Sequence, residues 1–199
     1  MRFWVLFPLV GLIGSLVVFS QETGSDQPAP KAYDVHEAYE VYAAVFPNEW
    51  TWKDAHSPAL LIRMETVAYG MCIRPEKESE DVLGPVIANY TEVNRKNWLL
   101  QRNFDIEKPY DLVPEKDIHH VLENDSVAGW RPPGEAHRKY VGSLEVSAVG
   151  FNSDKTVAVV YVGHHCGSLC GGGGFHVLEK KDGKWQPLKW KGSTCSWDS

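Results

Sequence analysis

The chain has 199 residues, with 20 Lys+Arg against 26 Asp+Glu and a formal charge of −6 at pH 7. That balance points away from nucleic acid, because no basic surplus exists to displace counterions from phosphate. With 43% apolar and 23% charged residues, a chain of this length can bury a core and does not read as intrinsically disordered.

Residues Phe3 to Phe19 form an apolar run behind Met1 and Arg2, the shape of an export signal over 1–20. Val18 and Ser20 are small enough to place a cut before Gln21. Loss of this segment leaves 19 basic and 26 acidic side chains, a formal −7. The alternative is an uncleaved N-terminal anchor, with membrane contact only there. The run of 17 residues is near the lower limit for spanning, and Pro8, Gly11 and Gly14 interrupt it. Either way the expected location is secreted or periplasmic, or membrane-anchored if the signal is retained. Gln21 to Lys31, with Pro28 and Pro30, reads as a flexible tether, and 32–199 as a single domain.

Within that domain, Asp34 and Glu37 suggest a capping box. Val35, Ala38, Tyr39, Tyr42, Val45 and Phe46 recur at helical spacing until Pro47. Ala59 to Gly70 reads as a strand. The acidic run Glu76 to Asp81 leads into a second helix, with Pro85 in its first turn, Val86, Ile87, Tyr90 and Val93 on its apolar face, and an end as late as Leu100. Residues 103–142 are the least legible, with a strand expected at Tyr110 to Val113 and a short helix around Ile118 to Leu122. The remainder reads as β. Ser143 to Phe151 alternates, Asn152 to Lys155 turns, and Thr156 to Gly163 suits a sheet centre. Phe175 to Lys181 and Lys184 to Trp190 flank an Asp182-Gly183 hairpin signal, and Pro187 places the last strand at an edge. The expected architecture is α+β, with N-terminal helices packed on an antiparallel sheet that ends in a C-terminal β-meander.

The densest chemistry lies between His164 and His176, in HHCGSLCGGGGFH. In an oxidising compartment an even number of cysteines pairs. Cys166 and Cys170 are close enough to bridge across the loop, and Cys72 with Cys195 then follows by elimination. The alternative is a copper or zinc site built from His164, His165, Cys166, Cys170 and His176. The two cysteines and Gly171 resemble the dinuclear copper loop of cytochrome oxidase subunit II. The positions of that loop's His and Met are held here by Gly174 and Val177, and His176 is displaced by two residues. A thiolate nucleophile at Cys166 or Cys170, with His165 or His176 as base, matches no local hydrolase signature. No catalytic residue is assigned.

Among the tryptophans, Trp50 and Trp52, with Trp185, Trp190 and Trp197, offer a stacking platform for a cell-envelope glycan. His119 and His120, beside Glu115 and Asp117, read as a solvated pair on a short helix.

The stretch from Val149 to Trp185 carries VGFN, an apolar strand ending YVG, the loop CGSLCG and VLEKKDGKW. It resembles the C-terminal region of a group of uncharacterised bacterial exported proteins, and that resemblance implies export without implying an activity. The leading expectation is a disulfide-stabilised binding or structural module of the cell envelope, its partner a glycan or a protein. The alternatives are a copper- or zinc-binding protein using the His164 to His176 loop, and an envelope hydrolase or glycan binder.

Overall fold

A computed structural model describes residues 30–48, 59–125, 139–167 and 170–199. The expected signal, most of the tether, and the loops holding Trp50, Trp52 and Trp130 lie outside the described residues. The protein is mixed α+β, with three helices among the described residues and one large, mostly antiparallel sheet. None of these helices is long and apolar enough to cross a membrane.

The first helix, α1 (His36–Val45), begins after Val35, and no side chain caps it. The expected capping box does not form, because Val35 rather than Asp34 occupies the N-cap, and Glu37 accepts a hydrogen bond from Lys155 at 2.9 Å. Its buried face is Ala38, Tyr39, Val41, Tyr42 and Val45, and a 3-10 turn at Phe46–Asn48 closes it. Tyr42 is fully buried and donates its hydroxyl proton to the Ser147 carbonyl at 2.7 Å. That bond removes the cost of an unpaired phenol in the core.

Strand β1 (Leu60–Arg63) is shorter than its alternation suggests, with Leu60, Leu61 and Ile62 all buried. It runs parallel to both β3 (Tyr110–Val113) and β4 (Ser143–Val146), which corrects the all-antiparallel expectation. The reason is connectivity: α2 (Lys77–Val93) intervenes before β3, and α3 (Glu115–Asp125) intervenes before β4. A helical crossover returns the chain in the same direction. Pro85 lies inside α2 rather than in its first turn, and the helix stops at Asn94 instead of reaching Leu100. There the Asn94 side chain leaves the helix path to donate to the Ala148 carbonyl at 3.0 Å. Beyond it, Leu99 and Leu100 bond in extended fashion, to Tyr33 and Met64.

The C-terminal half supplies β5 (Gly150–Phe151), β6 (Val157–Gly167), β7 (Cys170–Lys181), β8 (Lys184–Pro187) and β10 (Ser196–Asp198). A separate two-stranded ladder joins β2 (Arg74–Pro75) to β9 (Gly192–Ser193). The main sheet runs β10-β7-β6-β4-β1-β3, with β5 on β6 and β8 on β7. Three features of the reading hold here. Asp182 and Gly183 both have positive φ, 52° and 75°, as a type I′ hairpin requires. β6, β7 and β8 form the expected meander. Pro187 sits on a strand paired on one side only. The glycine run 171–174 is not a loop, however. It is the first half of β7, paired to β6 on one edge and β10 on the other.

Side chains of β6 alternate between two buried clusters. Ala158, Val160 and Val162 join one that includes Tyr39 and Tyr42 of α1. Val157, Val159 and Tyr161 join another that includes Leu83, Val86 and Tyr90 of α2. Gly150 must lack a side chain, because a Cβ there would lie 2.5–2.7 Å from Tyr90 of the crossing helix.

At the β3 edge, Asp111 accepts hydrogen bonds from Lys139 (2.7 Å), from Tyr140 and from Arg102 (3.4 Å). The Lys139 ammonium first, then the Tyr140 hydroxyl, pull its carboxyl down to about 2. A depressed carboxylate stabilises the fold above its unfolded value of about 3.9, and the contribution is lost as pH falls toward 2. Asp111→Asn is therefore expected to flatten the loss of urea resistance between about pH 4 and pH 2. Parallel acid limbs for the variant and the parent would overturn this assignment.

Candidate functional site

The face of the sheet that carries Val159 and Tyr161 continues along β6 to Gly163 and His165. Register places Glu145 of β4 opposite Gly163, and Arg63 lies beyond it on β1. Trp197 of β10 lies opposite Gly173 on β7. Four strands thus bring charged and aromatic groups into one strip.

Its charged half is a chain of ion pairs. Arg63 pairs with Glu115 at the start of α3, and its Nη1 lies 3.7 Å from Glu145. Glu145 in turn lies 3.3 Å from His165 Nε2. Arg63 and Glu145 are each only 15% exposed, whereas His165 is 49% exposed. The buried Nε of Arg63 has no hydrogen-bond partner among the described residues. A charge that deep is held by its carboxylates rather than by water. Glu65 stands next to this chain, accepting the backbone N–H of Glu115 at 3.1 Å.

The aromatic half is a stack on the glycine-rich strands. Trp197 donates its indole N–H to the Tyr161 hydroxyl at 2.8 Å. Tyr69 lies flat on Tyr161, with ring centroids 4.0 Å apart and planes within 4°. Tyr161 is buried and Tyr69 is 37% exposed, so the outer face of the stack meets solvent. Burial raises the Tyr161 hydroxyl to about 12, and the Glu145 charge adds to the rise. The two halves meet over Gly163. A Cβ there would fall 2.8 Å from the Tyr161 hydroxyl and 3.0 Å from the Glu145 carboxylate. Likewise, a Cβ at Gly173 would strike the Tyr161 hydroxyl and the Trp197 nitrogen. Gly171 and Gly173 of CGGGG thus leave room for flat rings on this face of the sheet.

Both disulfides are formed, Cys166 to Cys170 and Cys72 to Cys195, with Cα separations of 5.0 and 5.9 Å. Each holds a member of the strip: Cys166 follows His165, and Cys195 lies two residues before Trp197.

The three histidines of the loop do not converge. His165 faces Glu145 and Trp197. His164 points to the opposite face, where its ring and the Asp198 carboxylate both reach over Gly172. His176 shares that face but sits opposite Val160, four residues further along β7 than Gly172. At strand spacing that is roughly 13 Å away. With its sulfurs bonded to each other, the Cys166–Cys170 pair offers no thiolate ligand. Among the described residues no group of three or more His, Cys, Asp or Glu is arranged to hold a metal ion. No family model, curated protein or solved structure matches this chain.

Of the expected platform tryptophans, Trp185 is buried and bonds Glu40 at 3.1 Å, and Trp190 packs in the α2 cluster. Trp197 alone of these three joins the strip. Trp50 and Trp52 lie outside the described residues. Arg63, Glu145, Tyr69 and Tyr161 escaped the sequence reading. Arg63 and Glu145 carried one signal, each being a lone charge inside an otherwise apolar strand.

Proposed function

We propose that this protein is an exported, disulfide-stabilised module that binds a cell-envelope glycan along the strip between Tyr69 and His165. In this reading α1 packs on one face of the sheet, α2 and α3 pack on the other, and the strip runs between those two. Export is supported by the N-terminal apolar run, by the two disulfides, and by the resemblance of the CGSLCG region to exported bacterial proteins.

The observation that carries the binding assignment is the Tyr69–Tyr161 stack. An exposed ring braced from behind by a buried one is a pre-organised flat surface, and a sugar ring can stack on it without ordering cost. The neighbouring Glu145 and His165 supply polar groups that fix orientation, as ligand sites require. The test is retention on purified cell wall. The folded parent is expected to be retained, and Tyr69→Ala to bind about tenfold more weakly while its circular dichroism stays unchanged. Equal retention of the two proteins would overturn the assignment.

A further inference from the structure

We infer that the saccharide bound by the strip carries a free, protonated amine, an inference that rests on the glycan-binding reading. Three features of the strip converge on it. One guanidinium, Arg63, stands among three carboxylates: Glu115 and Glu145 paired to it, and Glu65 at the Glu115 backbone. Among the described residues the strip therefore carries excess negative charge, and its one permanent cation there is already engaged from two sides. A carboxylated or phosphorylated ligand finds no uncommitted Arg63 and meets repulsion.

The second feature is where that charge lies. Glu145 is mostly buried and borders the aromatic stack over Gly163, where its oxygen and the Tyr161 hydroxyl approach one point. Oε1, the oxygen at Gly163, also lies 3.3 Å from His165 Nε2, and Oε2 lies 3.7 Å from the guanidinium, longer than a hydrogen bond; with about four lone-pair sites the carboxylate retains capacity to accept an ammonium proton. The third is the ring array. Tyr69 offers an exposed π-face, and Trp197 reaches the same stack through its bond to the Tyr161 hydroxyl. Ring faces are electronegative and attract a cation within about 6 Å. Carboxylate and rings thus select the same sign of charge, while the flat Tyr69 face accepts the sugar that bears it.

The experiment is a calorimetric and NMR titration of the full oxidised protein with two trisaccharides differing only in charge. One is the β-1,4-linked trimer of glucosamine, the other the same trimer fully N-acetylated, both at about pH 6, where amine and carboxylate are ionised. The glucosamine trimer is expected to bind at least about tenfold more tightly, with its preference falling as NaCl is raised. Glu145→Gln is expected to abolish the preference. Glu115→Gln, which keeps the side-chain size and an oxygen acceptor for Arg63 at an exposed position, is expected to narrow it several-fold. Equal binding of the two trimers, or tighter binding of the acetylated one, overturns the amine inference and leaves the glycan reading standing. Binding of neither trimer, together with no retention on cell wall, overturns the glycan reading itself. Should Glu145→Gln fail to fold, the Glu115→Gln and salt titrations decide: a preference insensitive to both overturns the inference.

Discussion

Replacing Cys72 and Cys195 together by serine is expected to lower the unfolding free energy by about 5 kcal/mol. The bridge closes a span of 123 residues, and the chain-entropy cost of that closure is removed from folding only while the bond exists. The same exchange at Cys166 and Cys170, separated by four positions, is expected to cost about 2 kcal/mol. Urea denaturation of the two double variants, each retaining its other bridge, measures both values. The denaturant slope should also rise in the first variant, because its unfolded chain is free to expand. Equal losses in the two variants would show that native-state strain, rather than loop length, sets the contribution.

Asn94→Ala is expected to destabilise the fold by about 3 kcal/mol, far more than a typical exposed polar substitution. The buried carboxamide makes three bonds at once. It donates to the carbonyls of Tyr90 at 2.9 Å and Ala148 at 3.0 Å, and it accepts the Ala148 N–H at 2.9 Å. Ala148 is fully buried, so its N–H loses its partner where water cannot replace it, while its carbonyl keeps only the Ser147 hydroxyl, at 3.0 Å. Asn94 also ends α2 and ties that end to the corner between β4 and β5, so the loss is one of tertiary attachment. Asn94→Asp keeps the acceptor and loses the donors, and it is expected to fall between the parent and Asn94→Ala. A loss below about 1 kcal/mol for Asn94→Ala would mean that the corner holds without it.

Periodic elements were legible in the sequence because burial writes itself into spacing. The α1 face from Ala38 to Phe46, the turn at Asn152 to Lys155 and the Asp182-Gly183 hairpin all follow from local pattern. Strand direction was not, because Leu60 to Ile62 are buried whichever way their neighbours run. The crossovers that make β1 parallel to β3 and β4 involve residues far apart in sequence. Glycine misled for a related reason. A run of four suggests a loop, yet Gly171 to Gly174 are strand residues, two of which, Gly171 and Gly173, are kept small by the Trp197 and Tyr161 side chains lying over them. The pairing of cysteines was readable, since four residues allow few arrangements and two of them are nearly adjacent. The strip itself was not, since Arg63, Glu145 and Trp197 become neighbours only through sheet register and Tyr69 joins them from outside the strands by stacking on Tyr161. The histidine cluster shows the converse. Three imidazoles close in sequence part company as soon as strand alternation sends His164 and His165 to opposite faces.

The nesting of one bridge inside the other bears on how the chain matures. Cysteines leave the ribosome in the order 72, 166, 170, 195, and oxidation in that order would join Cys72 to Cys166 first. The native partner of Cys72 emerges last, on the strand segment that closes the edge of β7. Early closure of the small Cys166–Cys170 ring would withdraw both of its thiols from that competition. That step would thus keep Cys72 available for Cys195, the last of the four to emerge.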